Sequence, residues 1–208
     1  SKQGLFGDAI MELDWSIGEI RKTLKELGLE ENTLFIVTSD NGPWLNYGNH
    51  AGSAGGLREG KGTTFDGGQK VPAMMAWPGV IPAGSVSNGL ASAIDILPTI
   101  AEATDATLPD RKIDGISLVP LLKNPEGESP RQTFLYYYRQ NNLEAVRQGN
   151  WKLVLPHWGR TYEGFNPGKD GQPGGANERF NFEGGLYDLR RDPGERYNVK
   201  YAFPDVYA

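Results

Sequence analysis

Leu34-Phe35-Ile36-Val37-Thr38-Ser39-Asp40-Asn41-Gly42 is the stretch on which the fold turns. Four apolar residues in a row, closed by polar turn formers, predict a short strand buried on both faces. Upstream, Ile10, Leu13, Ile17, Ile20, Leu24 and Leu27 recur at spacings of three and four, which draws one apolar stripe down a helix, while Glu12, Glu19, Lys22 and Lys25 fall off it. Gly28 followed by apolar Leu29 predicts a Schellman cap, and Glu30-Glu31-Asn32 makes the turn into the strand. Helix, short turn and apolar strand together define an α/β unit. Ligands of such sheets bind beyond the carboxyl ends of the strands, which is where Asp40 and Asn41 stand.

Composition bounds the function classes. The 208 residues are 38% hydrophobic and 23% charged, enough for a core and a globular chain. A formal net charge of -5 offers no basic excess, so neither nucleic acid nor an anionic membrane surface is an expected partner. An anionic substrate needs a locally positive pocket. The absence of cysteine removes disulfides, thiolate metal sites and a cysteine nucleophile from this chain. No run approaches transmembrane length, and Ser1-Lys2-Gln3-Gly4 leads into mixed charge with no apolar signal-peptide segment.

Further along, Val71 to Trp77 predicts a second short strand before the Pro78-Gly79 turn, and Asp95 reads as the N-cap of a helix over 95–103. Ser117 to Leu122 adds a short helix, where the α/β portion ends. After Lys123-Asn124-Pro125-Glu126-Gly127 the pattern becomes β: strands at 134–138, 144–147, 151–155 and 186–189, with Gln148-Gly149-Asn150 as a hairpin turn. Eight glycines between 159 and 185 predict a long mobile loop. The expected division is therefore 1–122 for the α/β portion and 123–208 for a small antiparallel subdomain.

The residues that could carry chemistry also have ordinary readings. Asp-Asn-Gly after a strand is commonly a turn, because Asp and Asn bond their own backbone, yet Asp40 and the Asn41 carbonyl are also hard oxygen donors suited to Ca²⁺ or Mg²⁺. Lys61, in Gly60-Lys61-Gly62, reads from spacing alone as a surface lysine; in a tight loop it is equally a compact positive charge for an oxyanion. His50 and His157 are the two histidines, each a loop or strand-end residue placed to line a pocket or to face solvent.

Two stretches tip the balance. Residues 38–79, TSDNGPWLNYGNHAGSAGGLREGKGTTFDGGQKVPAMMAWPG, and residues 186–195, LYDLRRDPGE, resemble the sulfatases of the arylsulfatase A and N-acetylgalactosamine-6-sulfatase type. The resemblance extends over essentially the whole chain. It implies the C-terminal part of an alkaline-phosphatase-like α/β sandwich followed by a small antiparallel α+β subdomain. It implies Asp40 and Asn41 as ligands of Ca²⁺, with Mg²⁺ as the alternative, and Lys61 as the lysine that contacts the sulfate group. His50 and His157, as candidate substrate contacts, match none of the family's catalytic histidines, which lie upstream. The acidic metal ligands and the C/S-x-P-S-R motif that yields the formylglycine nucleophile belong, in the family, upstream of this segment; Ser129-Pro130-Arg131 lacks the spacer. Asp66 and Lys70 stand where many relatives have Glu and Arg.

The resemblance therefore implies hydrolysis of a sulfate ester on a small molecule or glycan, by an enzyme that is periplasmic or secreted and of which this chain is the C-terminal part. The chain alone is expected to be inactive, to pair with the missing N-terminal part, and to self-associate through uncovered apolar surface. Two other readings stand beside it: a phosphoryl hydrolase of the alkaline phosphatase superfamily, which should carry further His and Asp ligands for a second metal, and a noncatalytic carbohydrate-binding fragment.

Overall fold

The apolar stripe at the start of the chain winds into α1 (Gly4–Glu26), and it stops as its sequence dictates. Gly28 takes φ +68°, its N–H donates to Lys25 O at 3.1 Å, and Leu29 N–H donates to Leu24 O at 2.8 Å. These paired bonds are the Schellman arrangement. A computed structural model describes Lys2 and Gly4–Ala208; Ser1 and Gln3, within the segment read for a signal peptide, lie outside the described residues. A single 3₁₀ turn, Glu30–Asn32, leads into β1 (Phe35–Thr38).

β1 differs from the expected doubly buried strand. Among the described residues it pairs only with β2 (Ala73–Ala76), in a two-stranded sheet, and Phe35, Ile36 and Val37 are half-buried. A strand acquires two covered faces only from a wider sheet with helices on both sides. The stripe on α1 is bare for the same reason: no α1 residue is buried, and Ile10, Leu13, Ile20 and Leu27 are all exposed.

The chain folds as two compact units. One contains the residues up to Ile20, Thr38–Ala73 and Phe134–Ala208; the other contains Arg21–Val37 and Met74–Thr133. The second unit holds α3 (Ile96–Ala103), entered through a 3₁₀ turn Ala93–Asp95, and α4 (Val119–Lys123). Asp95 is not the N-cap acceptor expected of it. Its carboxylate reaches back to Ser92 N–H at 2.9 Å as the third residue of a capping box, takes Ile116 N–H at 2.9 Å, and forms a two-point ion pair with Arg131. Arg131 of the Ser129-Pro130-Arg131 run is thus committed to a buried bridge.

The first unit holds α2 (Asp66–Gln69) and a four-stranded sheet in the order β3 (Thr133–Tyr138), β4 (Asn142–Gln148), β5 (Trp151–Val154), β8 (Gly185–Asp188). β4 and β5 run antiparallel with Gln148 opposite Trp151, and the two-residue turn between them has a positive φ only at Gly149, as a type II′ turn requires. The glycine-rich stretch is not one mobile loop: β6 (His157–Thr161) and β7 (Asn177–Phe182) pair antiparallel within it. Gly159 lies in β6 because a Cβ there would sit 3.1 Å from the Phe182 ring, so that glycine marks packing. The core gathers Phe65, Tyr136, Ala145, Val154, Phe182, Tyr187 and Leu189, and α5 (Pro204–Tyr207) closes the chain.

Candidate functional site

Asp40 and Asn41 follow β1 after one residue, Ser39, in a segment without helix or strand that ends at the 3₁₀ stretch Leu45–His50. The turn is fixed from outside. Gly42 N–H donates to Gly68 O at 2.9 Å, and a Cβ on Gly42 would fall 1.8 Å from Gly67 O, so only glycine permits this approach of two backbones. One residue on, Pro43 O accepts the Lys61 N–H at 2.9 Å. The lysine's backbone is therefore tied to a residue three positions along the chain from Asp40. The glycine before Lys61 lets two protein segments touch, since a Cβ on Gly60 would fall 2.7 Å from Pro43 O.

Among the described residues no hydrogen bond or ion pair engages the Asp40 carboxylate or the Asn41 side-chain amide; Asp40 is exposed and Asn41 half-buried. Lys61 has no carboxylate partner either, and its ammonium stands 5.3 Å from the centre of the Trp44 ring. Two oxygen donors and one cation thus lie on a rigid backbone with their polar ends unspent. Asp40 and the Asn41 carbonyl suit a hard divalent cation in kind, but Ca²⁺ takes about 6–8 oxygens. No cluster of three or more acidic, His or Cys side chains that could hold a metal ion occurs among the described residues, and this pair alone falls short of such a coordination sphere.

The two histidines go to different places. His50 closes the 3₁₀ stretch, half-buried, and a Cβ on Gly171 would lie 3.6 Å from its Nδ1. It is there because the 162–176 loop is pinned to this stretch: Asn46 O accepts Gly168 N–H and Gly174 N–H at 2.7 Å each, while Asn49 and Asp170 exchange two bonds at 3.0 and 3.2 Å. His157 opens β6 inside the core region. Its Nδ1 lies 2.7 Å from Leu155 O, its Nε2 lies 3.3 Å from Glu144 Oε2, and its ring stacks on Phe182 at 5.0 Å.

A second charged group, Lys152, Asp66 and Glu195, has no counterpart in the sequence reading. The Lys152 ammonium is fully buried, 2.7 Å from Asp66 Oδ1, 2.8 Å from Glu195 Oε1 and 4.5 Å from the Tyr136 ring centre. Glu195 Oε2 also accepts Asp66 N–H at 2.6 Å. Burial pulls the Lys152 pKa down, but Glu195 and Asp66 more than offset it, so it ends above 10.5. Burial is also the largest cause raising the Glu195 carboxyl. Glu195, at the end of the stretch 186–195, is a fully buried core residue. The signal available in advance was a lysine inside an alternating strand, Trp151-Lys152-Leu153-Val154, at an inward position.

The Sulfatase family profile matches residues 3–106, the N-sulphoglucosamine sulphohydrolase C-terminal profile matches 60–158, and the profile for the C-terminal region of aryl-sulfatase matches 129–207. The chain belongs to the sulfatase family. It is 40% identical to arylsulfatase A of Bos taurus over 99% of its length, and 39% identical to N-acetylgalactosamine-6-sulfatase of Mus musculus over 97%. These alignments cover 41% and 40% of those proteins, so the chain spans well under half of either. Among solved structures it superposes on the PsFucS1 sulfatase of Pseudoalteromonas sp. with a TM-score of 0.79 at 31% identity, covering 95% of this chain and 39% of that one. The fold is that of the C-terminal portion of these alkaline-phosphatase-like enzymes, and its relatives are sulfuric ester hydrolases.

Proposed function

We propose that the chain supplies one wall of a sulfate-ester hydrolase active site, within a longer polypeptide. The observation that carries this reading is the set of unspent groups, Asp40, Asn41 and Lys61, on a backbone stitched by Gly42 to Gly68 and Pro43 to Lys61. A folded chain generally gives its buried or fixed polar groups partners; exposed groups of complementary chemistry, held by rigid backbone and left free, suit a ligand. Asp40 and Asn41 would hold a divalent ion, Ca²⁺ with Mg²⁺ as the alternative, together with acidic ligands from beyond this chain. The chemistry such an ion supplies is neutralisation of charge on the sulfate oxygens. Lys61 adds a point charge to those oxygens as the S–O bond breaks, and Trp44 limits where its ammonium can swing.

His50 stands at the rim as a contact for the organic part of the substrate, a sulfated small molecule or glycan. His157, with both ring nitrogens within reach of protein acceptors, orders the β4–β6 region. The nucleophile, a formylglycine on this reading, comes from beyond residues 1–208. The enzyme would be periplasmic or secreted; among the described residues no helix is long and apolar enough to cross a membrane. The rest of the polypeptide would cover the exposed stripe of α1, and the isolated chain would self-associate through it.

Steady-state hydrolysis of an aryl sulfate by the whole enzyme tests the reading. Lys61→Ala should lower kcat/KM by roughly 10²–10³, the loss seen when one preorganised stabilising group is removed. Wild-type kcat/KM in that variant would return Lys61 to the status of a surface lysine.

A further inference from the structure

We infer that Tyr162 and Arg160, at the end of β6, are positioning residues that set where the Lys61 ammonium can stand. The inference rests on the sulfatase reading of Lys61 and adds the device that aims it. Both lone pairs of the Lys61 carbonyl are taken: Tyr162 Oη–H donates to it at 2.7 Å and Arg160 Nη1 at 3.3 Å. Arg160 Nη1 also donates to the Tyr162 oxygen at 3.2 Å, so the two donors brace each other. On the other side of the same Cα, the Lys61 N–H is held by Pro43 O. Both peptide units flanking Lys61 are thereby fixed, and only its side-chain torsions remain free. Gly62 completes the fit, with φ +92° and Arg160 Nη1 only 3.0 Å from where its Cβ would stand.

A second tie keeps β6 in register with this loop. The buried Glu59 carboxylate accepts the Thr161 hydroxyl at 2.6 Å and Tyr162 N–H at 2.7 Å. Tyr162 suits the task because its phenol keeps its proton, burial being the largest cause that raises its pKa. Arg160 is itself steered by Glu178, whose carboxylate lies 2.9 Å from its Nε. The consequence is specific: a lysine reaching for a sulfate oxygen multiplies any backbone error along its four-carbon stem, and a shift of about 1 Å at a reacting centre can cost on the order of 10²-fold. A purely structural tie would stabilise the fold without acting through the ammonium.

A double-mutant cycle on the whole enzyme separates the two, using an aryl sulfate as substrate and inorganic sulfate as inhibitor. Tyr162→Phe keeps the ring and removes only the hydroxyl; it should lower kcat/KM about tenfold and weaken sulfate inhibition, by the misplacement argument above. In a Lys61→Ala background the same change should have almost no further effect, since the group it aims is gone. A Tyr162→Phe loss that persists undiminished in Lys61→Ala, or no loss in either background, would overturn the positioning role and leave the sulfatase reading intact. Wild-type activity in Lys61→Ala alone would remove that reading and this inference with it.

Discussion

Lys61 and Lys152 lie in the same compact unit and could hardly differ more in surroundings. Lys152 is fully buried, with Asp66 and Glu195 within 2.8 Å, whereas Lys61 is half-buried, faces an aromatic ring and has no carboxylate partner among the described residues. The carboxylates divide in the same way: Asp66 and Glu195 are spent on the core, Asp40 on nothing within the described residues. The lesson is that charge in this chain is sorted by what completes it. Where the chain supplies the counter-charge, the group builds the fold; where it supplies only a rigid mount, the group awaits something else.

The comparison can be broken most severely at Lys152. Lys152→Ala should cost about 3–5 kcal/mol, because it strands two carboxylates in the core, and urea unfolding of the whole enzyme will read it as a loss of folded protein. Lys61→Ala, by contrast, should leave the unfolding midpoint within experimental scatter while removing most of kcat/KM. A drop in stability at Lys61 comparable to that at Lys152 would erase the distinction.

The pH profile sharpens it further. A lysine whose folded pKa is raised contributes stability that is fully present below the unfolded value near 10.5 and is lost as pH climbs through the higher folded value. Unfolding free energies measured between pH 9 and pH 12 should therefore fall across the alkaline end in the wild type, and this component of the fall should vanish in Lys152→Ala. The smallest effect is expected at Asp192, whose Oδ2 accepts Arg196 N–H and Tyr197 N–H at 2.7 Å each. Asp192→Ala should cost about 1 kcal/mol, the usual worth of a capping side chain, with kcat/KM unchanged.

Much of the architecture was legible because it is local. The α1 stripe, the Gly28 cap, the Gly149-Asn150 turn and the polar end of β1 are each decided within a few residues. The β6–β7 hairpin was hidden, since glycine density signals a loop and only the Phe182 ring explains why Gly159 belongs in a strand. The Lys152 cluster was hidden for a topological reason: Asp66, Lys152 and Glu195 lie on α2, β5 and the turn after β8, and nothing in the sequence announces that these meet. Asp95 does stand at the N-cap position of α3, but its carboxylate makes no cap bond there because it is committed to Arg131, 36 residues away. The candidate site was legible in its residue types, while its mount, the Gly42–Gly68 and Pro43–Lys61 stitches and the Tyr162 brace, required the fold.

The central claim is that Asp40 is kept free for a cation, and calorimetric titration of Ca²⁺ into the whole enzyme and its Asp40→Ala and Asp192→Ala variants tests it most directly. The account predicts that Asp40→Ala binds the ion at least tenfold more weakly, about 1.4 kcal/mol or more, while Asp192→Ala titrates like the wild type. Equal affinities for the wild type and Asp40→Ala would contradict it.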